Sequence, residues 1–190
     1  MLPIRAHSRC EAEFYLKVVP CQRCGQGPLA TASERRLPQP GEPVGMVARC
    51  VHCQAEHEFA FTWPDEADET AGQINTTSEP SEIIDAGQWL ALHNLLTELA
   101  NRTSVKPVKR LMTFQAGECL DEALKFYTEA TEDLPPTSAF FTESSRKAFA
   151  EHPEKFLRLR LQDMRRKFPK HPPGPRGKDR GGKRKWWQLW

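Results

Sequence analysis

Four cysteines carry the clearest chemical potential in this sequence: Cys21 and Cys24 in CQRCGQG, and Cys50 and Cys53 in RCVHCQ, spaced C-x2-C-x25-C-x2-C. A thiol can serve as a nucleophile, a redox centre or a soft metal ligand. A thioredoxin-like couple needs one CxxC at the start of a helix after a strand and has no use for a second pair. Two CxxC knuckles brought together make a tetrahedral pocket of four thiolates, the ligand set of a structural zinc ion. A catalytic zinc keeps an open position and fewer protein ligands, so the spacing points away from hydrolytic chemistry here. His52 and His57 lie close enough in sequence to replace a cysteine, but four thiolates already satisfy the metal, and both histidines read as surface residues.

The two pairs have to be carried by elements that converge. EFYLKVV leads into Cys21 and reads as a strand, VGMVAR leads into Cys50, and HEFAFTW leaves the second pair with period-two alternation. Gly25 follows Cys24 where a knuckle turn calls for positive φ. Between the halves, GQGPLATASERRLPQPGEPVG reads as an irregular loop. On the four positions Cys21, Cys24, Cys50 and Cys53, residues 11–64 resemble the zinc-ribbon fold group. The resemblance implies a small antiparallel β fold holding one structural zinc ion. It covers about a third of the chain and implies no activity, because ribbons occur in many unrelated proteins.

An acidic linker over 65–80 separates this part from a helical one over 81–168. In SEIIDAGQWLALHNLLTELANRT, Ile84, Trp89, Leu92, Leu95, Leu96 and Leu99 share one side and Ser81 is the expected N-cap, while Ile83 and Leu90 face the other side, so the helix should be covered twice. Pro107 suits the first turn of a second helix whose stripe is Val108, Met112, Ala116, Cys119, Ala123 and Phe126. Cys119 therefore reads as a small buried hydrophobe. Cys10 lies in an unstructured-looking start and reads as a free thiol, with a spare metal ligand as the alternative. Phe140 and Phe141 should anchor the connection to a short helix over SSRKAFAEH. Pro153 then opens a last helix with Leu157, Leu161, Met164 and Phe168 on one stripe and Arg158, Arg160, Arg165, Arg166 and Lys167 in solvent. His93 stands without an acid or nucleophile beside it and reads as a satisfied helix residue. The expected fold class is α+β, a four-cysteine ribbon followed by a three- to four-helix bundle.

Charge is segregated beneath a net +2. No Lys or Arg lies between Arg49 and Arg102, a stretch with ten acidic residues, whereas Arg158 to Trp190 holds twelve basic residues against two acidic ones. The second half of the ribbon is thus bare of positive charge, and phosphate contacts there would fall to Lys17, Arg23, Arg35, Arg36 and Arg49. Residues 169–190 form a Pro- and Gly-rich basic tail, expected to be disordered, that ends in Lys183, Arg184, Lys185, Trp186, Trp187, Leu189 and Trp190. Indoles beside cations at a chain end suit an apolar groove on a protein partner.

No phosphate-cradling glycine loop, G-x-S-x-G elbow or H-E-x-x-H helix occurs. The sequence thus predicts a non-enzymatic adaptor or regulatory binding protein that takes a protein partner through its tail. A nucleic-acid-associated protein using the last helix and tail is the alternative. The start has no signal-like apolar run and no segment is a transmembrane candidate, so a cytoplasmic location is expected. The oligomeric state is not encoded in any of these patterns.

Overall fold

The structure, a computed structural model, describes residues 2–35, 42–64, 73–75, 77–129 and 133–173. It is a mixed α+β fold, and its first helix departs from the sequence-based expectation. EFYLKVV belongs to α1 (Arg9–Val18), not to a strand. Ser8 caps it, its Oγ accepting from the Glu11 N–H at 3.0 Å, an S-x-x-E start in which a hydroxyl satisfies an orphaned helix donor. Cys10, Ala12, Phe14 and Leu16 are all buried because the helix is covered on two sides. A doubly covered helix can thereby imitate the alternation of a strand. Cys10 is accordingly not in an unstructured start: it is 7% exposed, and burial pushes its thiol pKa up, as it does for Cys119.

The presumed irregular loop also contains regular structure. Leu29–Arg35 is strand β2, which joins β3 (Val44–Cys50), β4 (Glu56–Thr62) and the two-residue β1 (Ile4–Arg5) in a sheet of order β1-β4-β3-β2. β2, β3 and β4 are antiparallel neighbours, and β1 runs parallel to β4. LATASER has little hydrophobic alternation of its own, so partner pairing rather than intrinsic preference makes it a strand. On β3 the alternation is clean: Val44, Met46, Ala48 and Cys50 face inward and pack with Leu29, Phe61 and, from α1, Ala12 and Leu16.

The other face of α1 closes a second core with four helices: α2 (Ala86–Arg102), α3 (Lys106–Leu124), α4 (Glu143–Glu151) and α5 (Arg158–Arg165). α2 and α3 form a hairpin joined by residues 103–105. The expected stripe of α3 is buried from Met112 through Phe126, with Val108 at its edge. Leu90 is buried and Ile83, just before α2, packs against both cores, so this region is covered from two directions, but Leu95, expected on the packed side, is exposed. Its cap, however, is Asp85 and not Ser81, whose hydroxyl serves the preceding turn at Ile83 and Ile84. The fully buried Asp85 carboxylate accepts from the Gln88 N–H, the Phe141 and Thr142 N–H groups, and the Thr142 and Ser145 hydroxyls. One carboxylate therefore ties the starts of α2 and α4 together, and five donors offset the cost of burying its charge.

The C-terminal elements correct three further expectations. Phe140 stacks on Phe149 with ring centroids 4.4 Å apart and anchors the connection, while Phe141 stays 41% exposed. Pro153 opens a 3-10 turn (Pro153–Phe156), and α5 starts only at Arg158, leaving Leu157 exposed. Arg165 is not a solvent cation: its Nε donates to Asp121 at 2.7 Å, and its side chain is 13% exposed. Among the described residues no helix is long and apolar enough to cross a membrane.

Part of the expected linker is built into the core. Ile74 is fully buried, its carbonyl accepts from Ser8 Oγ, and Asn75 donates to the Glu122 carboxylate at 3.2 Å. Glu122 also takes Lys125 at 2.6 Å. Burial nevertheless pushes its carboxyl up to about 7, against the pull of Lys125 and Asn75 and helped by the charge of Glu11. A carboxyl raised in the folded state binds more protons there than in the unfolded chain. Its stabilising contribution is complete below about 4.5 and is lost as pH climbs through about 7. Glu13 and Glu118 are raised by burial in the same direction. We expect Glu122→Gln to flatten, without abolishing, the fall in urea-unfolding stability between these pH values, by up to about 3 kcal/mol. An unchanged slope in the variant would assign the titration elsewhere.

Candidate metal centre

Both cysteine pairs sit on the same local device. In the first knuckle, between α1 and β2, the Gly25 N–H donates to the Cys21 carbonyl at 2.8 Å and the Cys21 N–H to the Gln26 carbonyl at 2.7 Å. In the second, between β3 and β4, the Gln54 N–H donates to the Cys50 carbonyl at 3.0 Å and the Cys50 N–H to the Ala55 carbonyl at 2.9 Å. The residue after each pair closes the turn with positive φ, 71° at Gly25 and 59° at Gln54. Glycine adopts this conformation freely, whereas glutamine adopts it at a cost. The Val51 N–H donates to the Pro28 carbonyl and joins the two turns.

The four sulfurs converge between the two knuckles. Cys21 Sγ lies 3.6 Å from Cys53 Sγ, Cys24 Sγ lies 3.7 Å from Cys50 Sγ, and all four fall within 4.8 Å of one another. A disulfide would need about 2.0 Å. A tetrahedron with metal–sulfur bonds of about 2.3 Å has edges of about 3.8 Å, so the set fits one ion. Cys21 and Cys50 are buried at the end of the sheet core, Cys53 is half-buried and Cys24 is exposed. A metal held there would fasten the end of α1 to the β2–β3–β4 sheet.

The site also uses a residue assigned to the surface from sequence. His52 is exposed, but His57 is half-buried with Nε2 3.1 Å from Cys21 Sγ. The correction has a sequence signal: His57 has the parity of Phe59 and Phe61 on β4, whereas Glu56 and Glu58 face solvent. Burial acts to raise the Cys21 pKa, but the backbone N–H groups of Cys24 and Arg23, together with His57 and Cys53, outweigh it and draw the thiol down to about 5. On Cys24 the Gln26 N–H acts in the lowering direction, but desolvation and the neighbouring sulfurs prevail and push its thiol up to about 12.

Other candidate residues lie elsewhere. Cys119 is fully buried on α3. His93 donates through Nδ1 to the Ala116 carbonyl at 2.8 Å, and burial pushes its pKa down, which makes it a neutral core histidine. The tail residues Lys183, Arg184, Lys185, Trp186, Trp187, Leu189 and Trp190 fall outside the described residues. Comparison of the chain with protein-family models, with curated proteins and with solved structures finds no match.

Two outcomes are expected at this centre. Elemental analysis of protein purified without chelator should return one metal per chain, lost in Cys50→Ser, while His57→Gln keeps the stoichiometry but weakens metal affinity about 10–100-fold, measured by chelator competition. Gln54→Gly should relieve the positive-φ strain and raise unfolding stability by about 1 kcal/mol in a denaturant titration. A destabilised Gln54→Gly protein would mean that the bond from the glutamine side chain to the Val51 carbonyl outweighs the strain.

Proposed function

We propose that this chain is a non-enzymatic adaptor or regulatory binding protein, in which one structural zinc ion held by Cys21, Cys24, Cys50 and Cys53 secures a ribbon-like N-terminal part. The observation that supports this reading is the closed ligand set. Four convergent sulfurs leave a tetrahedral ion no position for water or substrate. Zinc suits a site of four thiolates with no redox role, in a compartment reducing enough to keep them free, as in the cytoplasm. The sheet core beside the site contains many small residues, among them Ala6, Ala12 and Ala48, so a metal would supply stability that apolar burial there does not.

The partner is a protein, engaged by the basic and aromatic end from Lys183 to Trp190. Clustered indoles are costly to leave in water and bind well in apolar grooves. A second reading, nucleic-acid association through the last helix and tail, draws on Arg160 in α5 and Lys167 just after it, both exposed. The ribbon supports it less: Arg49 is held by Glu56 at 2.6 Å, and Lys17 is half-buried. Deleting residues 183–190 should abolish capture of a protein partner from nuclease-treated lysate without lowering the melting temperature. Retention of every partner, with melting several degrees lower, would make the tail an intramolecular strap. Partners lost to nuclease treatment would favour the nucleic-acid reading.

A further inference from the structure

Helix α3 begins under an electrostatic conflict. It has no side-chain cap and no acidic residue in its first turn, and Lys106, Lys109 and Arg110 crowd the end where the helix dipole already concentrates positive potential. All three are exposed, and among the described residues none is ion-paired. Local rules are broken most often where function requires it.

The chain returns to this end after α5. Phe168 closes onto Gly117, where a Cβ would come within 2.8 Å of the phenylalanine Cβ, so only glycine permits the approach. Arg165 donates to the Phe168 and Pro169 carbonyls at 3.1 and 3.0 Å and fixes the direction of the chain beyond. The segment over 169–173 consequently borders α3, and the two enclose a groove of about 380 Å³. Pro169 and Pro173 supply its apolar walls above the buried Phe114, and Lys106, Lys109 and Arg110 its cationic rim.

We propose that this groove is a docking site for an acidic peptide segment of a partner protein, which buries an apolar side chain against the prolines and sets carboxylates on Lys106, Lys109 and Arg110. The rim carries positive charge that nothing among the described residues neutralises, so carboxylates bound there would also relieve the conflict at the helix end. The chain's own residues 174–190 do not fit, because six basic residues against Asp179 give them the sign of the rim. A nucleic acid fits poorly, since Phe114 is 1% exposed and offers no ring face to a base, and a phosphate backbone would leave the apolar lining unfilled. The site is separate from the tail interaction proposed above and does not depend on it.

The test uses the full, metal-loaded chain and fluorescence anisotropy with three probes: a labelled Glu-rich peptide with a central Leu-Phe pair, the same peptide with that pair replaced by Ser, and an oligo-dT of matched charge. The first peptide should bind saturably, and the other two at least about tenfold more weakly. The double variant Lys106→Glu/Lys109→Glu should lose binding of the first peptide by at least about tenfold while melting at the same or a higher temperature, because the new carboxylates suit the helix dipole. Arg110→Gln provides a milder variant with the same direction of effect, should the double reversal disturb folding. No saturable peptide binding, equal binding of the Ser peptide, tighter binding of oligo-dT, or affinity unchanged in both variants would each overturn the proposal.

Discussion

Helix α1 is the element on which both cores close, and the fold depends on its having two apolar faces. Cys10 and Phe14 point into the helical layer, where Phe14 meets Trp89 edge-on with ring centroids 6.2 Å apart. Ala12 and Leu16 point into the sheet, and Tyr15 at the seam touches Phe59 and Phe61. Each large side chain so buried is worth about 1.5–3 kcal/mol, and the small residues between them allow close approach on both sides. The C-terminal end of this helix delivers Cys21 to the other three sulfurs, so the position of the cysteine cluster follows from the same packing.

Polar groups fix the junctions that apolar contact leaves free to slide. Asp85 binds the starts of α2 and α4, His93 bridges α2 to the Ala116 carbonyl of α3, and Asn75 with Glu122 holds the 73–75 segment against α3. Such contacts are directional, so a shift by one helical residue would strand buried donors and acceptors at a cost of about 1–3 kcal/mol each. Glu11 Oε1 and Trp89 Nε1 are buried without a partner among the described residues, and Glu122 holds its proton to an unusually high pH. The seam between sheet and helices is therefore where polar strain and pH sensitivity collect.

Charge is arranged differently on the two parts. The sheet-bearing part pairs two of its cations internally, Arg9 with Glu34 and Arg49 with Glu56. The helical part leaves Lys106, Lys109 and Arg110 without an ion pair among the described residues, beside the groove, and the chain continues from there into further basic residues. A positive helix start of this kind works against the helix dipole, and the acidic segment proposed for the groove would offset that conflict.

By itself the sequence pointed to the four cysteines that cluster and to the turn at Gly25, because C-x2-C followed by glycine is a local device, whereas the matching positive φ at Gln54 came from the structure. It also determined α2, α3 and the burial of Cys119, since a helical apolar stripe is written within one segment. Tertiary structure decided whatever depends on a partner element. It made EFYLKVV a helix, since coverage from two sides copies strand alternation, and made LATASER a strand, since its order comes from β3. It moved the α2 cap from Ser81 to Asp85 through the long-range donors of Phe141, Thr142 and Ser145, and turned His57 onto Cys21 through the register of β4. It also brought the segment after α5 beside the start of α3, and no periodicity within either stretch encodes a groove between them, because a groove belongs to the space between elements that pack.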